Sequence, residues 1–441
     1  MNDPSCGVRL LAFALLLHES VYLADWGFAY IQRSFAPVLG LRLTALGRTA
    51  LHLVHAGVCI ASIVVPTTET IYGMIITLTL VIAAFPVRLS NHLIVAWFLM
   101  AGLAVKATPS YMVVIIAMVY FFAGFAKLNR TFLTSADSCG LYFARLLITI
   151  WGVGDFRDVR VVRLSSTWGI AVAELLVAAL LVDARTRYAG FLIVLLLATL
   201  FGLLCHVHFS AVVIAALAAA VNPEALTPEP AWAIAAVIGG AIGFKLGNWR
   251  WYAHQRVAAT NHICFGALIA TSWLVAFHHP HGKLIVATTE HLRLAAVVLL
   301  AAFAANCLSP YLGLKTAFSM TMFSNMRPDR WDHLIVHRPL RRFRVNYITF
   351  DRPIAGLPML AQFSRDAQLR RALSELHLTR SHKYSPLFVR ETLRLLKQEG
   401  CFLPESADGV VGIDSGASGG VDRALFFFPH VLPQATSAVF D

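Results

Sequence analysis

The sequence predicts an all-α, polytopic integral membrane helix bundle of about 8–11 spans over residues 1–308, followed by a small polar α+β region over 309–441. Three observations point there. Apolar residues make up 58% of the 441 and charged residues only 14%, against about 45–50% and about 25% in soluble domains. Of the 60 charged residues, 31 lie in the first 308 positions and 29 in the remaining 133, so charge density doubles near residue 310. The cations of the first part sit at the ends of apolar runs, where the charge bias of membrane loops puts them. The same figures exclude disorder, collagen-like repeats and disulfide-stapled secreted scaffolds. A net charge of +12 distributed in this way does not read as nucleic-acid binding.

Apolar runs of spanning length occur at 8–31, 49–65, 71–87, 92–105, 109–127, 167–182, 188–204, 206–221, 232–248, 258–277 and 291–308, about eleven in all. The first has no Ala-x-Ala cleavage site after it and reads as a retained helix. Only Cys205, His206 and His208 interrupt the pair 188–204 and 206–221, which leaves open one long helix or a helix with a re-entrant piece. Residues 131–166 alternate Phe132, Leu133, Leu141, Phe143, Leu146, Leu147 and Trp151 with Arg145, Asp155, Arg157 and Arg160, the pattern of an amphipathic segment lying in the interface. The seven cysteines occur singly, so neither a disulfide framework nor a thiolate metal site is indicated.

With eleven spans, thirteen loop lysines and arginines fall on one side of the bundle and six on the other, which makes the first side cytoplasmic and places the tail there. The expected location is a bacterial cytoplasmic membrane, with lipid as the surrounding partner. In the tail, residues 344–350 alternate like a strand and 366–376 and 386–398 read as helices. Residues 405–421 are rich in Gly, Ser and Asp and read as loose.

Ionisable groups inside apolar spans are rare and expensive, so each is a functional hypothesis by default. Glu174 has only apolar sequence neighbours and must pair across the bundle or be protonated; an interhelical hydrogen bond is the bland alternative. His18, Glu19 and Asp25 share the first span, with His18 and Asp25 on one face, and a packing network explains them equally well. His206 with His208, and the run His278-His279-Pro280-His281, leave metal ligation conceivable, although an i, i+2 spacing points helical imidazoles apart. Lys127 ends a strongly apolar helix with Gly124 one turn earlier. Such a lysine either snorkels its ammonium to the interface or is desolvated until it can serve as a base.

The run Tyr120-Phe121-Phe122-Ala123-Gly124-Phe125-Ala126-Lys127-Leu128-Asn129 resembles the signature of the horizontally transferred transmembrane (HTTM) family, to which the vitamin K-dependent gamma-glutamyl carboxylases belong. Ser90-Asn91-His92, an Asn-His pair opening the preceding helix, is a second match. The stretch Leu308-Ser309-Pro310-Tyr311-Leu312-Gly313-Leu314-Lys315-Thr316, followed by Met322-Phe323-Ser324-Asn325-Met326-Arg327, is a third. The three occur in the family's order, and the resemblance spans roughly residues 8–350.

This resemblance implies a lyase that uses reduced vitamin K or menaquinol bound among the helices. Oxygenation of the quinol yields a strong base, a glutamate gamma-proton leaves and carbon dioxide adds. Lys127 then corresponds to the catalytic base and His92 to its catalytic companion, with Asn91, Gly124, Glu174 and His206 around the quinol or substrate. A secreted peptide is the substrate so implied. The tail of about 130 residues is too short for the substrate-holding region of the animal carboxylases. A fold is inherited more readily than a reaction. Two alternatives therefore stand: a non-enzymatic HTTM component in toxin or peptide maturation or immunity, and a metal- or proton-handling membrane protein using Glu174 and histidines. In the animal carboxylases the site and tail face the lumen, opposite to the orientation the charges give here. Small residues Gly102, Ala123 and Gly124 are expected to leave room for a quinol between 92–105, 109–127 and 167–182.

Overall fold

The computed structural model describes residues 5–24, 43–84, 91–107, 109–135, 138–141, 144, 160–203, 207–221, 230–247, 256–279, 292–314, 320, 324 and 331–340, with three short strands beyond. Twelve helices carry the described fold: α1 (Ser5–Ala24), α2 (Ala45–Val64), α3 (Thr68–Ala84), α4 (Asn91–Ala104), α5 (Pro109–Ala126), α6 (Arg130–Thr134), α7 (Arg160–Val182), α8 (Arg187–Phe201), α9 (Val207–Ala220), α10 (Pro230–Gly247), α11 (Arg256–His278) and α12 (Leu294–Leu308). The bundle is all-α, and each of the eleven apolar runs has its helix.

Segments 46–64, 109–126, 164–182 and 260–278 are long and apolar enough to cross a membrane, and six further apolar helices are shorter. Their outer faces agree. Leu46 and Leu294 are about four-fifths exposed, and Val161 and Val237 nearly three-quarters, on helices whose other sides are packed. Apolar surface on this scale in water is a liability, and in lipid it is the ordinary condition. The chain is accordingly a membrane protein by its helices.

Two expectations are refined. The pair 188–204 and 206–221 is two helices, α8 and α9, with a wider turn at 202–203 closing the first. Residues 160–166 belong to the 23-residue α7 and not to an interfacial segment. Residues 145–159 lie outside the described residues, as do 25–31 and the two tail helices expected at 366–376 and 386–398. The strand expected at 344–350 contributes β1 (Ile348–Thr349), which pairs antiparallel with β2 (His382–Tyr384), itself antiparallel to β3 (Val431–Pro433).

Local chemistry sets the geometry around the site. The turn after α4 is closed at Lys106, whose φ of 51° is left-handed, while the amide of Ala107 bonds back to the carbonyl of Gly102 at 2.8 Å. Pro109, whose missing N–H costs nothing at a first turn, then opens α5. A link of four residues between α4 and α5 makes the two antiparallel. Close approach elsewhere relies on glycine. A Cβ at Gly243 would lie 2.0 Å from the carbonyl oxygen of His262, so α10 and α11 meet backbone to backbone.

Candidate functional site

Lys127 stands where α5 stops. The amides of Lys127 and Leu128 bond to the carbonyls of Gly124 and Phe125, both at 3.0 Å, which tightens the last turn. Asn129 then serves both flanking helices. Its Oδ1 accepts from the Phe132 amide at the start of α6, and its Nδ2 donates to Ala126 O, each at 2.8 Å. The chain reverses here, and the lysine side chain folds back along α5.

The amine of Lys127 donates to Glu174 Oε2 at 2.7 Å, to Oε1 at 3.0 Å and to Ala123 O at 3.3 Å. Both members of the pair are buried, at 3% and 4% exposure. The Phe132 ring lies 5.9 Å from the ammonium, within reach of a cation–π contact. The snorkelling geometry is therefore not adopted, and the partner that Glu174 needs comes from 47 residues away.

Gly124 makes this pairing possible. A Cβ there would meet Glu174 Cβ and Leu175 Cγ at 3.0 Å and Ala171 O at 3.1 Å, so α7 lies directly against it. This corrects the expectation of open space at two of the three small residues, Gly102 and Gly124. The space beside Gly124 holds α7, and the space beside Gly102 holds the Tyr111 ring, whose Cε1 is 2.2 Å from where a Cβ would stand. Tyr111 bonds across to Phe98 O at 2.8 Å.

A segment of the polar tail closes this end of α5. Leu334 N donates to Leu128 O at 2.8 Å and Arg130 N to Asp332 O at 3.1 Å. Asp332 Oδ2 accepts from both the amide and the hydroxyl of Thr131. His333 Nε2 donates to Phe125 O at 2.9 Å, while its Nδ1 accepts from the amides of Ile335 and Val336 at 3.2 and 3.0 Å. One nitrogen must carry a proton and the other must not, so these bonds specify a neutral imidazole. Burial likewise holds the His333 pKa below its ordinary 6.5.

A second buried polar system runs through α1, α2, α4, α9 and α11. Glu19 Oε2 and His52 Nδ1 are 2.6 Å apart. His18 Nδ1 and His92 Nε2 are 2.9 Å apart, with the His208 ring 5.6 Å from the first and 5.7 Å from the second, centroid to centroid. Asn261 ties His208 in through its Nδ2 at 3.3 Å and accepts from Ser20 Oγ at 3.0 Å. His55 Nδ1 contacts Thr77 Oγ1 at 2.7 Å. That hydroxyl gives its proton to Gly73 O at 2.8 Å, so His55 is the donor. Its Nε2 is left as a lone pair facing Cys59 Sγ at 3.9 Å.

The candidates thus fall into two groups. Lys127, Glu174 and Gly124 come together at α5 and α7. His92 opens α4 beside Asn91 and joins His18 and His208. His206 and Asp25 lie outside the described residues. Among the described residues no three His, Cys, Asp or Glu side chains are arranged to hold a metal ion. Sequence reasoning missed His52, His55, Asp332 and His333. The i, i+3 spacing of His52 and His55 in an apolar span was the available signal for the first two; nothing local marks the other two. Neither protein-family models, nor curated proteins, nor solved structures give a match to this chain.

Proposed function

We propose that this chain is a membrane-embedded enzyme that uses a lipid-soluble quinol, of the reduced vitamin K or menaquinol class, to carboxylate or otherwise modify a peptide or small molecule, with Lys127 as the base. The observation that carries this reading is the Lys127 amine held by both oxygens of Glu174 at 2.7 and 3.0 Å inside the protein. A lysine that merely anchors a helix end keeps its charge in water. This one has exchanged water for a carboxylate, and in dry surroundings separated charges are costly. Transfer of the ammonium proton to Glu174 leaves a neutral acid and a free amine. Glu174 is then the group that makes Lys127 a base, because it stores the proton while the amine acts.

Asn91 and His92 open α4, and Lys127 follows the end of α5, the next helix in the chain. Asn91 Oδ1 is buried and has no hydrogen-bond partner among the described residues. A buried orphan acceptor is a standing cost unless something donates to it, and a quinol hydroxyl is such a donor. When bound, the quinol supplies the reducing power of the reaction. Asn91 and His92 would hold its ring oxygen, and the Lys127–Glu174 pair would receive the hydroxyl proton.

Menaquinol added to detergent-purified protein tests the reading. Saturating ligand raises the melting temperature by mass action, about 2.7 kcal/mol of stabilisation at one hundred times Kd, and membranes given labelled bicarbonate incorporate label only when quinol is present. No thermal shift with oxidised or reduced quinone would leave a non-enzymatic membrane component as the better reading.

A further inference from the structure

We propose that Glu19, His52, His18 and His92 form a proton-binding relay inside the bundle, a site separate from Lys127–Glu174 whose ligand is the hydron. It holds whether or not a quinol binds at Asn91. Glu19 is completely buried and His52, His55 and His92 are all under one-tenth exposed. Two of the contacts join groups that can each gain or lose a proton: Glu19 Oε2 with His52 Nδ1 at 2.6 Å, and His18 Nδ1 with His92 Nε2 at 2.9 Å. In the first, one proton lies between carboxylate and imidazole and can reside on either, with the pair neutral in both arrangements. In the second, one N–H serves two ring nitrogens, so an added proton is shared as an imidazolium. The two pairs stand on consecutive residues of α1, and His52 and His55 lie within electrostatic reach of His18.

Glu19 Oε1 is the second observation. It is buried with no hydrogen-bond partner among the described residues. A carboxylate kept only to pin α1 to α2 gains nothing from an unsatisfied oxygen, since the desolvation cost remains. An oxygen with a free lone pair beside a shared proton is where a further proton lands. The titratable groups turned toward this region are His52 and His55 from α2, His92 from α4, His208 from α9 and His262 from α11, with Cys59 beside His55; Arg48, one turn before His52 on α2, is buried as well. Acidic partners other than Glu19 do not occur among these. Among the described residues Glu19 is therefore the counter-charge for a proton held on these histidines, and the excess of imidazoles over carboxylates there suits a site that is loaded and unloaded.

Infrared difference spectroscopy of the full-length protein in micelles reads this directly. Between about pH 9 and about pH 4, a range that brackets ordinary carboxyl and imidazole titration, wild type gains a protonated-carboxyl band that Glu19→Gln lacks. His52→Gln, which still donates to the carboxylate but has no nitrogen that titrates in this range, moves the midpoint by at least tenfold in proton concentration. A Glu19 carboxyl unchanged across that range overturns the relay, as does a His52→Gln midpoint equal to wild type. Should Glu19→Gln fail to fold, nitrogen-labelled histidine spectra of wild type take its place. Ring-nitrogen shifts of His18 and His92 that move together with pH support the relay, and shifts that stay fixed overturn it.

Discussion

The corner at Lys127 and the histidine system around Glu19 solve the same problem differently. Each buries a carboxylate in a bundle that faces lipid. At the corner, both oxygens of Glu174 are satisfied by one primary amine, and a strap from the polar tail is bonded over the helix end. Around Glu19 one oxygen is bonded to a histidine, the other has no partner among the described residues, and imidazoles outnumber carboxylates. A lysine and a carboxylate form a pair of full charges in which each depends on the other. An imidazole can be satisfied while neutral. The corner is thus intolerant of losing a partner, and the histidine system is tolerant of losing a charge.

The same substitution in both places brings out the difference most strongly. Glu174→Gln strands a buried ammonium opposite an uncharged amide and costs about 3–5 kcal/mol of unfolding free energy, the range for breaking a buried pair on one side. Glu19→Gln leaves a carbonyl oxygen that still accepts from His52 but puts an amide NH2 where Oε1 had no partner among the described residues, and costs about 1–3 kcal/mol. Denaturant unfolding in mixed micelles compares them, and equal losses would remove the distinction. Replacing both corner partners together, as Lys127→Met with Glu174→Leu, restores the stability that either single change loses, with no recovery of activity.

Next in size is Gly124→Val. Its side chain enters space occupied by Glu174 Cβ and Leu175 at 3.0 Å, so α7 must withdraw at about 1–3 kcal/mol, the ordinary range for overpacking. The corner pair loosens and the histidine system does not. Smaller still is Asp332→Ala, which removes two bonds to Thr131 and costs about 1–2 kcal/mol locally. Hydrogen exchange then speeds up at Thr131 and across 331–336, with the middle of α5 still protected.

The smallest effect is a pH dependence. Neutral His333 is the form the strap binds, and its pKa is held below 6.5, chiefly by burial. The undocked strap therefore takes up a proton more readily. Docking is at full strength above pH 6.5 and weakens as the solution is acidified below it, by at most about 1.4 kcal/mol per pH unit. Exchange protection at 331–336 should fall with acidification in wild type and stay flat in His333→Gln.

Much of this was legible in the sequence for one physical reason. Lipid demands runs of about 20 apolar residues, so composition marks the spans, and any charge within them stands out. Lys127 and Glu174 stood out on those grounds, as did His18 and Glu19. Which charge meets which was not legible, because Lys127 and Glu174 are 47 residues apart and meet only through the packing of α5 on α7, which the local sequence does not report. Gly102 and Gly124 were read as room, but a missing side chain invites a neighbour as readily as a ligand, and Tyr111 and α7 took the space. Asp332 and His333 lie in a polar stretch where such residues are ordinary, and only the fold brings them to Phe125 and Thr131.

The central claim is that Lys127 acts by giving and taking a proton. The most direct measurement is the quinol-dependent activity of Lys127→Arg beside its melting temperature. Guanidinium keeps the bidentate partner and the positive charge but does not release its proton in the accessible range. The account predicts a stable, well-inserted variant with activity as low as Lys127→Ala at every pH. A Lys127→Arg protein as active as wild type would contradict it and leave Lys127 as a strut between α5 and α7.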